Sequence, residues 1–376
     1  MPTSNDSNAP LSVGLIGYGL AGSVFHAPLI AVTPTLRLAA LVTSDPERRA
    51  KAERDFPEAR IVEKADRLWE LASELDLVVV ATPNRTHVPL TRAAFAAGLA
   101  VVVDKPFAPT AAEGRALIAE ARERNLLLAV FQNRRWDSDF LTVRQLASRG
   151  ELGTVFRLYS RFDRWRPAPK GGWRERGDPS EAGGLLYDLG SHLIDQALLL
   201  LGPVESVYAE LDRRREGMPV DDDAFVALTH TSGARSHLTM SVMVAQPGPR
   251  FHVLGTRAAY LKFGPDVQED ALKLGERPDR ADWGQESRDR WGTLGVGDEV
   301  RPVPTVAGAY QDFYRGVASA LRARSAPPVD PNDAIAGLEV IEAAQLSARS
   351  GTTQLIKGEL IKGELIKGAT DRGRNG

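Results

Sequence analysis

The 376-residue chain has no cysteine, and this absence removes several kinds of chemistry at once. The chain can form no disulfide, offer no thiolate nucleophile and bind no zinc through cysteine. This composition fits a reducing compartment, so we expect a cytoplasmic protein. Residues 1–10 lack the charged and then apolar segments of a signal peptide. The longest apolar runs, such as residues 77–81, fall far short of the ~20 residues of a membrane helix.

An excess of charge of one sign is also missing. Lys and Arg together number 47 and Asp and Glu number 49, which gives a formal net charge of -2. No basic cluster with interleaved aromatic residues is present, so we expect no nucleic-acid partner and no membrane partner. The motifs H-E-x-x-H and G-x-S-x-G are absent as well, which argues against metalloprotease and α/β-hydrolase chemistry. A small molecule remains as the expected partner.

Residues 11–132 alternate between short apolar runs and amphipathic helical stretches. Runs typical of buried strands lie at residues 13–16, 38–42, 77–81, 100–103 and 126–131. Asp45 followed by Pro46 is a helix start, and Thr110 with Glu113 forms a capping box. Apolar strands separated by helices predict a parallel sheet covered on both faces, which is the Rossmann type of dinucleotide-binding domain.

From about residue 133 the pattern changes. An alternating strand at 155–162 and a helix at 185–201 precede strands near 204–212, 222–230, 235–244 and 250–263, and a last helix covers 333–348. We therefore predict an α/β protein with a Rossmann domain at 11–132 and an α+β domain at 133–352 that has a large, open, mostly antiparallel sheet. Residues 1–10 are expected to be disordered, and residues 353–376 to be a low-complexity tail because LIKGE repeats there with a period that fits no helical face.

The first functional motif follows the first predicted strand and opens a helix. It consists of Gly17, Tyr18, Gly19, Leu20, Ala21 and Gly22, a complete G-x-G-x-x-G. The first glycine allows a tight turn, the second allows close approach of a pyrophosphate, and the third allows close packing of helix and strand. The free N–H groups at the start of the helix then bind the anion. A glycine-rich turn without a ligand is the alternative.

The end of the second strand indicates which dinucleotide binds. NAD enzymes place an acidic residue there for the ribose 2′-hydroxyl, but this strand ends in Thr43 and Ser44, and Asp45 is needed as a helix cap. Arg48 and Arg49 follow, and guanidinium groups bind a 2′-phosphate well. The pattern favours NADP(H) over NAD(H), unless both arginines belong to a solvated helix face.

The second motif, Asp104-Lys105-Pro106, stands at the end of the strand at 100–103. Ligands of open α/β sheets bind just outside the carboxyl ends of the strands. A lysine there can bond a reacting oxygen and stabilise a developing alkoxide. A surface lysine in a loop is the alternative for Lys105 taken by itself.

The third motif lies on the helix predicted at 185–201. Asp188, His192 and Asp195 are spaced i, i+4 and i+7, so we expect all three on one helix face. Flanking carboxylates would favour the charged form of the histidine and suit it to acid–base catalysis. Two alternatives remain, a helix cap with satisfied core hydrogen bonds, and a divalent metal site without an evident fourth ligand.

Taken together, these motifs and their separations resemble the Gfo/Idh/MocA family of oxidoreductases. The resemblance runs from about residue 11 to residue 351 and is strongest to the branch of NADP-dependent scyllo-inositol dehydrogenases. It is carried by residues 17–26 (GYGLAGSVFH), 133–142 (NRRWDSDFLT) and 187–196 (YDLGSHLIDQ). Many members have Glu-Lys-Pro where this chain has Asp104-Lys105-Pro106, a change that keeps the lysine and the proline.

The resemblance implies a role for each motif. Lys105 would contact the reacting hydroxyl and the nicotinamide, His192 would accept or donate the proton, and Asp188 would tune their protonation. No metal is implied. The implied substrate is a small polyol or sugar, and the implied assembly is a homodimer or homotetramer. The predicted cofactor contacts are Gly17, Tyr18, Gly19, Leu20, Ala21, Gly22, Thr43, Ser44, Arg48, Thr82, Pro83, Asn84, His87, Lys105 and Pro106.

Arginine forks and indole faces suit a polyhydroxylated ring. The candidates for such a pocket are Arg134, Arg135, Trp136, Arg161, Arg164, Trp165, Trp173 and Arg174. We predict Arg161 and Trp173 as substrate contacts beside Lys105, Asp188 and His192. Two further hypotheses stay open: a reductase of a keto-sugar of the anhydro-sugar type, and a dinucleotide-sensing regulator without catalysis. A sensor has no need of Lys105, Asp188 and His192 together.

Overall fold

A computed structural model describes residues 9–356 of the chain. The predicted disordered start lies almost wholly outside the described residues, and so does most of the low-complexity tail. The first residues of that tail form a short edge strand, Gln354–Leu355, which pairs with the strand Val204–Asp212 of the second sheet.

The first half forms a six-stranded parallel sheet with the order β3-β2-β1-β4-β5-β6. Its strands are β1 (Leu11–Ile16), β2 (Leu36–Val42), β3 (Arg60–Val62), β4 (Leu77–Val80), β5 (Ala100–Asp104) and β6 (Leu128–Phe131). This order confirms the predicted Rossmann fold, because the chain reverses direction across the sheet between β1 and β4. The sequence pattern missed β3, which has only three residues.

Helices cover this sheet, and their starts follow the predicted capping. They are α1 (Ala27–Ala31), α2 (Pro46–Asp55), α3 (Ala65–Trp69), α4 (His87–Ala96) and α5 (Ala111–Glu123). The backbone N–H of Arg48 donates to Asp45 Oδ1 at 2.9 Å, and that of Glu113 donates to Thr110 Oγ1 at 3.2 Å. The predicted first helix begins as a π-helical segment, Ala21–His26, before α1.

The second half is built on a nine-stranded sheet with the order β14-β13-β12-β11-β7-β10-β9-β8-β15. The strands are β7 (Val155–Asp163), β8 (Val204–Asp212), β9 (Asp223–His230), β10 (Arg235–Ser241), β11 (Phe251–Gly255), β12 (Ala259–Lys262), β13 (Gly292–Val296), β14 (Glu299–Val303) and β15 (Gln354–Leu355). Within this second sheet, the pair β7–β10 is the only parallel one among the described strands, so the predicted open, mostly antiparallel sheet is confirmed.

Two parts of this sheet differ from the prediction. The strand expected at 250–263 is divided into β11 and β12 by a turn. The hairpin β13–β14 was not predicted, because the glycines of β13 and Pro302 in β14 are more typical of turns. Proline is tolerated in β14 because this strand lies at the sheet edge.

Some helices of the second half of the chain pack against elements of the first half. They are α6 (Ser138–Ser148), α7 (Ser191–Leu201), α8 (Gln268–Lys273), α9 (Gln311–Ala323) and α10 (Pro331–Ser350). A π-helical segment, Leu186–Gly190, leads into α7. On α9, which was not predicted, Phe313 and Tyr314 pack edge-on or tilted against Phe131 of β6, while α10 packs against α5 and α7.

Short 3-10 turns complete the described elements. They are Ala72–Glu74, Asn84–Thr86, Asn133–Trp136, Trp173–Glu175, Pro179–Glu181 and Arg288–Arg290. None of the helices within residues 9–356 has the length and apolar character needed to cross a bilayer.

Candidate active site

Of the three glycines in the glycine-rich turn, Gly17 and Gly22 have no room for a Cβ, but Gly19 does. A Cβ on Gly17, whose φ is +99°, would lie 2.3 Å from the carbonyl oxygen of Ala81. A Cβ on Gly22 would lie 2.0 Å from the carbonyl oxygen of Gly17. At Gly19, by contrast, the nearest atom to a Cβ would be a guanidinium nitrogen of Arg48 at 3.7 Å. The space beside Gly19 is therefore open, as close approach of a pyrophosphate requires.

The surroundings of this turn fit a dinucleotide. Leu20 is 55% exposed and lines the main cavity together with Ala21. At the end of β2, Thr43 is buried, and Ser44 and Arg48 are exposed. The Tyr18 hydroxyl donates to Asp55 Oδ2 at 2.9 Å, so this side chain is fixed against α2 and only its backbone forms the turn.

Two predicted cofactor residues have a supporting role in the geometry. Both ring nitrogens of the buried His87 lie 2.8 Å from backbone oxygens, those of Thr82 and Pro106. The Asn84 amide donates to the backbone oxygen of Glu181 at 2.8 Å. His87 therefore links the loops after β4 and β5, and Asn84 links the loop after β4 to the turn Pro179–Glu181. Thr82 and Pro83 are half-buried in the loop that His87 ties down.

Lys105 lies where β5 ends and contacts the second half of the chain. Its Nζ lies 3.1 Å from Asp188 Oδ1 and also donates to the backbone oxygen of Asp188. The peptide bond between Lys105 and Pro106 is cis. Burial lowers the pKa of the Lys105 ammonium, and the charge of Asp188 counteracts part of that shift.

Asp188 stays ionised because two cations share its carboxylate. Besides Lys105, Arg174 Nε lies 3.2 Å from Asp188 Oδ1. Burial opposes ionisation, but these charges outweigh it and bring the pKa of Asp188 below its usual range. The carboxylate therefore contacts Lys105 directly and counteracts part of the effect of burial on its pKa.

His192 lies on the first turn of α7 and is 4% exposed. Its Nδ1 is buried and has no hydrogen-bond partner within residues 9–356. Burial lowers the pKa of His192 well below 6.5, and the positive charges of Lys105 and Arg134 lower it further. The imidazole is therefore neutral at pH 7. The expectation that carboxylates favour its charged form is wrong, because cations surround the ring.

Asp195 does not share the face of Asp188 and His192. Its carboxylate accepts two hydrogen bonds from Arg135, at 2.6 and 2.8 Å, and it is buried away from the cavity. The prediction assumed one regular helix, but Asp188 lies in the π-helical segment Leu186–Gly190, whereas His192 and Asp195 lie in α7. The possible metal set of Asp188, His192 and Asp195 is divided because the Asp195 carboxylate is paired with Arg135.

A single cavity of about 990 Å³ brings the predicted catalytic and substrate residues together. The predicted site residues that line it are Leu20, Ala21, Lys105, Arg161, Trp173, Asp188 and His192. The other pocket candidates divide into Arg134, Arg164 and Arg174, which line the cavity, and Arg135, Trp136 and Trp165, which do not. Trp136 packs edge-on against Phe313, and Trp165 is 56% exposed.

Several lining residues were not singled out from the sequence. Asn133 lies in a 3-10 turn, Met218 and Arg250 lie in loops, and Glu269 lies in α8, so these residues are far apart in the chain. Arg250 bonds Ser160 and Gln196, and its guanidinium lies 4.2 Å from the Phe162 ring centroid. These contacts depend on the register of the second sheet, which no local sequence signal reveals.

Comparison with known proteins identifies the family. Residues 11–132 match the oxidoreductase family model described as an NAD-binding Rossmann fold, and residues 140–261 match the GFO/IDH/MocA C-terminal domain. This chain belongs to the GFO/IDH/MocA family. It is an NAD(P)-binding dehydrogenase or reductase acting on CH–OH groups.

Full-length relatives support the assignment. The chain is 42% identical to the uncharacterized oxidoreductase YdgJ of Escherichia coli, over 91% of this chain and 98% of the relative. It is 36% identical to IolW of Bacillus subtilis, named a scyllo-inositol 2-dehydrogenase (NADP(+)), over 92% and 96%. The structure of the oxidoreductase yvaA from Bacillus subtilis superposes with a TM-score of 0.87 at 36% identity, over 93% of this chain and 99% of that one.

The neutral imidazole leads to a prediction about pH. Alcohol oxidation needs a proton acceptor, so the rate is retained above the pKa of His192 and lost as pH falls through it. Because that pKa lies well below 6.5, we expect the acid limb of kcat/KM for alcohol oxidation to have a midpoint below pH 6.5. A pH–rate profile with saturating cofactor measures it, and a midpoint above pH 6.5 would contradict the assignment.

Proposed function

We propose that this family member uses NADP(H) to interconvert a secondary alcohol and a ketone on a cyclitol or sugar. The observation that carries the proposal is the convergence of Lys105, Asp188 and His192 in one cavity beside the glycine-rich turn. Scyllo-inositol is the first candidate substrate, because IolW is named for it. Reduction of a keto-sugar is the same reaction in the opposite direction.

In alcohol oxidation, Lys105 stabilises charge and His192 transfers the proton. A bound nicotinamide would supply the hydride acceptor. The ammonium of Lys105 donates a hydrogen bond to the reacting oxygen and stabilises the negative charge that develops there. The neutral His192 imidazole accepts the hydroxyl proton, and in ketone reduction the protonated ring returns it. Asp188 fixes the Lys105 ammonium by direct contact.

A regulatory sensor is a poorer description of this site. A dinucleotide-binding regulator needs the turn around Gly19, but it has no use for a buried lysine paired with an aspartate next to a neutral histidine. Burying such groups is costly unless they serve a purpose. The predicted homodimer or homotetramer is part of the proposal on the strength of the resemblance alone.

The preference for NADP(H) rests on Arg48. Its guanidinium lies over the glycine-rich turn, at 3.7 Å from where a Gly19 Cβ would stand. The carboxylate of Asp45 accepts the Arg48 backbone N–H and is thereby used as a helix cap. The end of β2 therefore offers a cation to a 2′-phosphate.

Replacing His192 tests the catalytic assignment. We expect His192→Ala to lower turnover by about 10²- to 10⁴-fold, the usual contribution of general acid–base catalysis, while cofactor affinity stays unchanged. Turnover of an inositol and sugar panel, followed by nicotinamide absorbance, and cofactor binding by fluorescence measure the two effects. The control is His252→Ala, whose ring stacks on Tyr159 outside the cavity. Wild-type activity in the His192 variant would move proton transfer to another residue.

Arg48 and Arg49 form a matched pair for testing the cofactor. Both are exposed on α2, but Arg49 Nε is bonded to Glu53 at 2.9 Å and is directed along the helix. We expect Arg48→Gln to weaken NADPH binding by about 10-fold or more, as loss of a charge-assisted hydrogen bond would, with NADH binding unaltered. Arg49→Gln should change neither affinity. An equal loss for both cofactors in Arg48→Gln would contradict a role at the 2′-phosphate.

A further inference from the structure

One wall of the cavity carries positive charge that the protein does not neutralise. It is formed by the end of β7 and the residues that follow, where Arg161, Arg164 and Arg166 line the cavity, with Lys170 farther along. No carboxylate oxygen within residues 9–356 lies at salt-bridge distance from any of these four side chains, and none of them donates a side-chain hydrogen bond there. We refer to Arg161, Arg164 and Arg166 as the arginine wall.

The carboxylates of the same cavity, by contrast, all have donors. Asp188 is held by Lys105 and Arg174, and Glu269 by Arg134 and Lys273. Glu175 pairs with Arg215 at 3.0 Å, and Asp270 with Lys273 at 3.5 Å. The remaining four each accept a backbone N–H: Asp104 at 2.9 Å, Asp163 at 2.9 Å, Asp221 at 2.7 Å and Asp266 at 2.7 Å. Every carboxylate of the cavity therefore has a donor, and four of them have a cation, whereas Arg161, Arg164 and Arg166 have no salt-bridge partner within residues 9–356.

Arg164 is the residue of the arginine wall whose charge acts on His192. Its positive charge adds to the effect of burial in lowering the pKa of His192. Arg164 is partly buried, and burial lowers the pKa of its guanidinium. The carboxylates of Glu269 and Asp188 also act on Arg164, but both are already held at salt-bridge distance by other cations. A further anion supplied by a ligand would therefore interact favourably with Arg164.

The backbone fixes the arginine wall in advance of binding. The Arg164 N–H donates to Ser241 at 2.9 Å, the Arg164 carbonyl accepts from Val244 at 3.0 Å, and the Arg166 N–H donates to Val242 at 2.7 Å. The Arg161 guanidinium packs closely on Gly248, where a Cβ would lie 2.1 Å from it. The backbone of this segment is therefore held in place, and the guanidinium forks that it carries suit planar oxyanions, which accept two parallel hydrogen bonds.

We propose that the arginine wall is an oxyanion subsite, so that the preferred substrate is a polyol or sugar that carries a carboxylate or a phosphate. This inference rests on the proposed function, because it assigns one end of the substrate to the wall and the reacting carbinol to Lys105 and His192. A neutral cyclitol would still reach the reacting groups but would leave the Arg164 charge unpaired. An acidic substrate pairs it and gains affinity.

Three ligands that share one sugar ring test the proposal: D-glucose, D-glucuronate and D-glucose 6-phosphate. They differ in having a hydroxymethyl group, a carboxylate or a phosphate ester at one carbon. Titration calorimetry on the full chain saturated with NADPH measures affinity without requiring turnover. We expect one or both acids to bind about 10- to 100-fold more tightly than glucose, as expected for hydrogen bonds to a charged group. The stronger binder identifies the oxyanion.

Arg164→Gln should remove this advantage, bringing the acids close to glucose, whereas Arg164→Lys should keep part of it because charge remains without the fork. Arg144→Gln is the control, since Arg144 is exposed on α6 and does not line the cavity. Circular dichroism and NADPH affinity show that each variant is folded. Equal binding of the three sugars, no binding of either acid, or an advantage that survives Arg164→Gln would overturn the proposal.

The same variants separate this inference from the proposed function. If acids bind through Arg164 but no polyol or sugar acid is turned over, the subsite stands and the proposed reaction fails. If neutral polyols are turned over but the acids have no advantage, the reaction stands and the subsite fails. A loss of NADPH affinity in Arg164→Gln with sugar affinities unchanged would assign Arg164 to the cofactor and also overturn the subsite.

Discussion

The ion pair between Lys105 and Asp188 is the contact on which the rest of the site depends. It joins the end of β5, in the dinucleotide-binding half, to the π-helical segment before α7, in the second half. Lys105 brings a positive charge to the place where ligands of an open α/β sheet bind, and Asp188 keeps that charge in a partly buried setting. Both halves must fold and meet before this geometry exists.

The pairing of Lys105 with Asp188 also affects the protonation state of His192. A histidine next to an ionised aspartate alone would tend to hold a proton, but the Asp188 carboxylate is already engaged by Lys105 and Arg174. His192 therefore experiences mainly burial and cations, and it stays neutral. In the proposed reaction, the neutral imidazole of His192 accepts a proton and the ammonium of Lys105 stabilises an alkoxide.

Much of this arrangement could be predicted from the sequence, because its signals are local. Strand ends, helix caps and the glycine-rich turn are determined within a few residues, and each of them places a motif at the correct edge of the first sheet. The direction of Asp195 could not be predicted in the same way. It depends on the pairing of Asp195 with Arg135, which lies 60 residues away in the chain.

The residues that enclose the cavity were predicted least well. Of the three candidate tryptophans, Trp173, which was the one predicted as a substrate contact, lines the cavity and Trp136 and Trp165 do not, because strand register and loop packing decide which side chains face inward. The arginine wall also has no sequence signature. It can be identified only from the distances between the charged side chains of the cavity, which come from parts of the chain that are far apart in sequence.

Isotope transfer tests the central claim most directly, namely that the cavity around Lys105 and His192 passes hydrogen from a carbinol carbon to nicotinamide while the hydroxyl proton leaves separately. The polyol, deuterated at its carbinol carbons, is incubated with the wild-type enzyme and NADP⁺ in ordinary water, and the reduced cofactor is analysed by mass spectrometry. The account predicts one deuterium in each reduced nicotinamide. Reduction without label, or no reduction with any cyclitol or sugar tried, would contradict it.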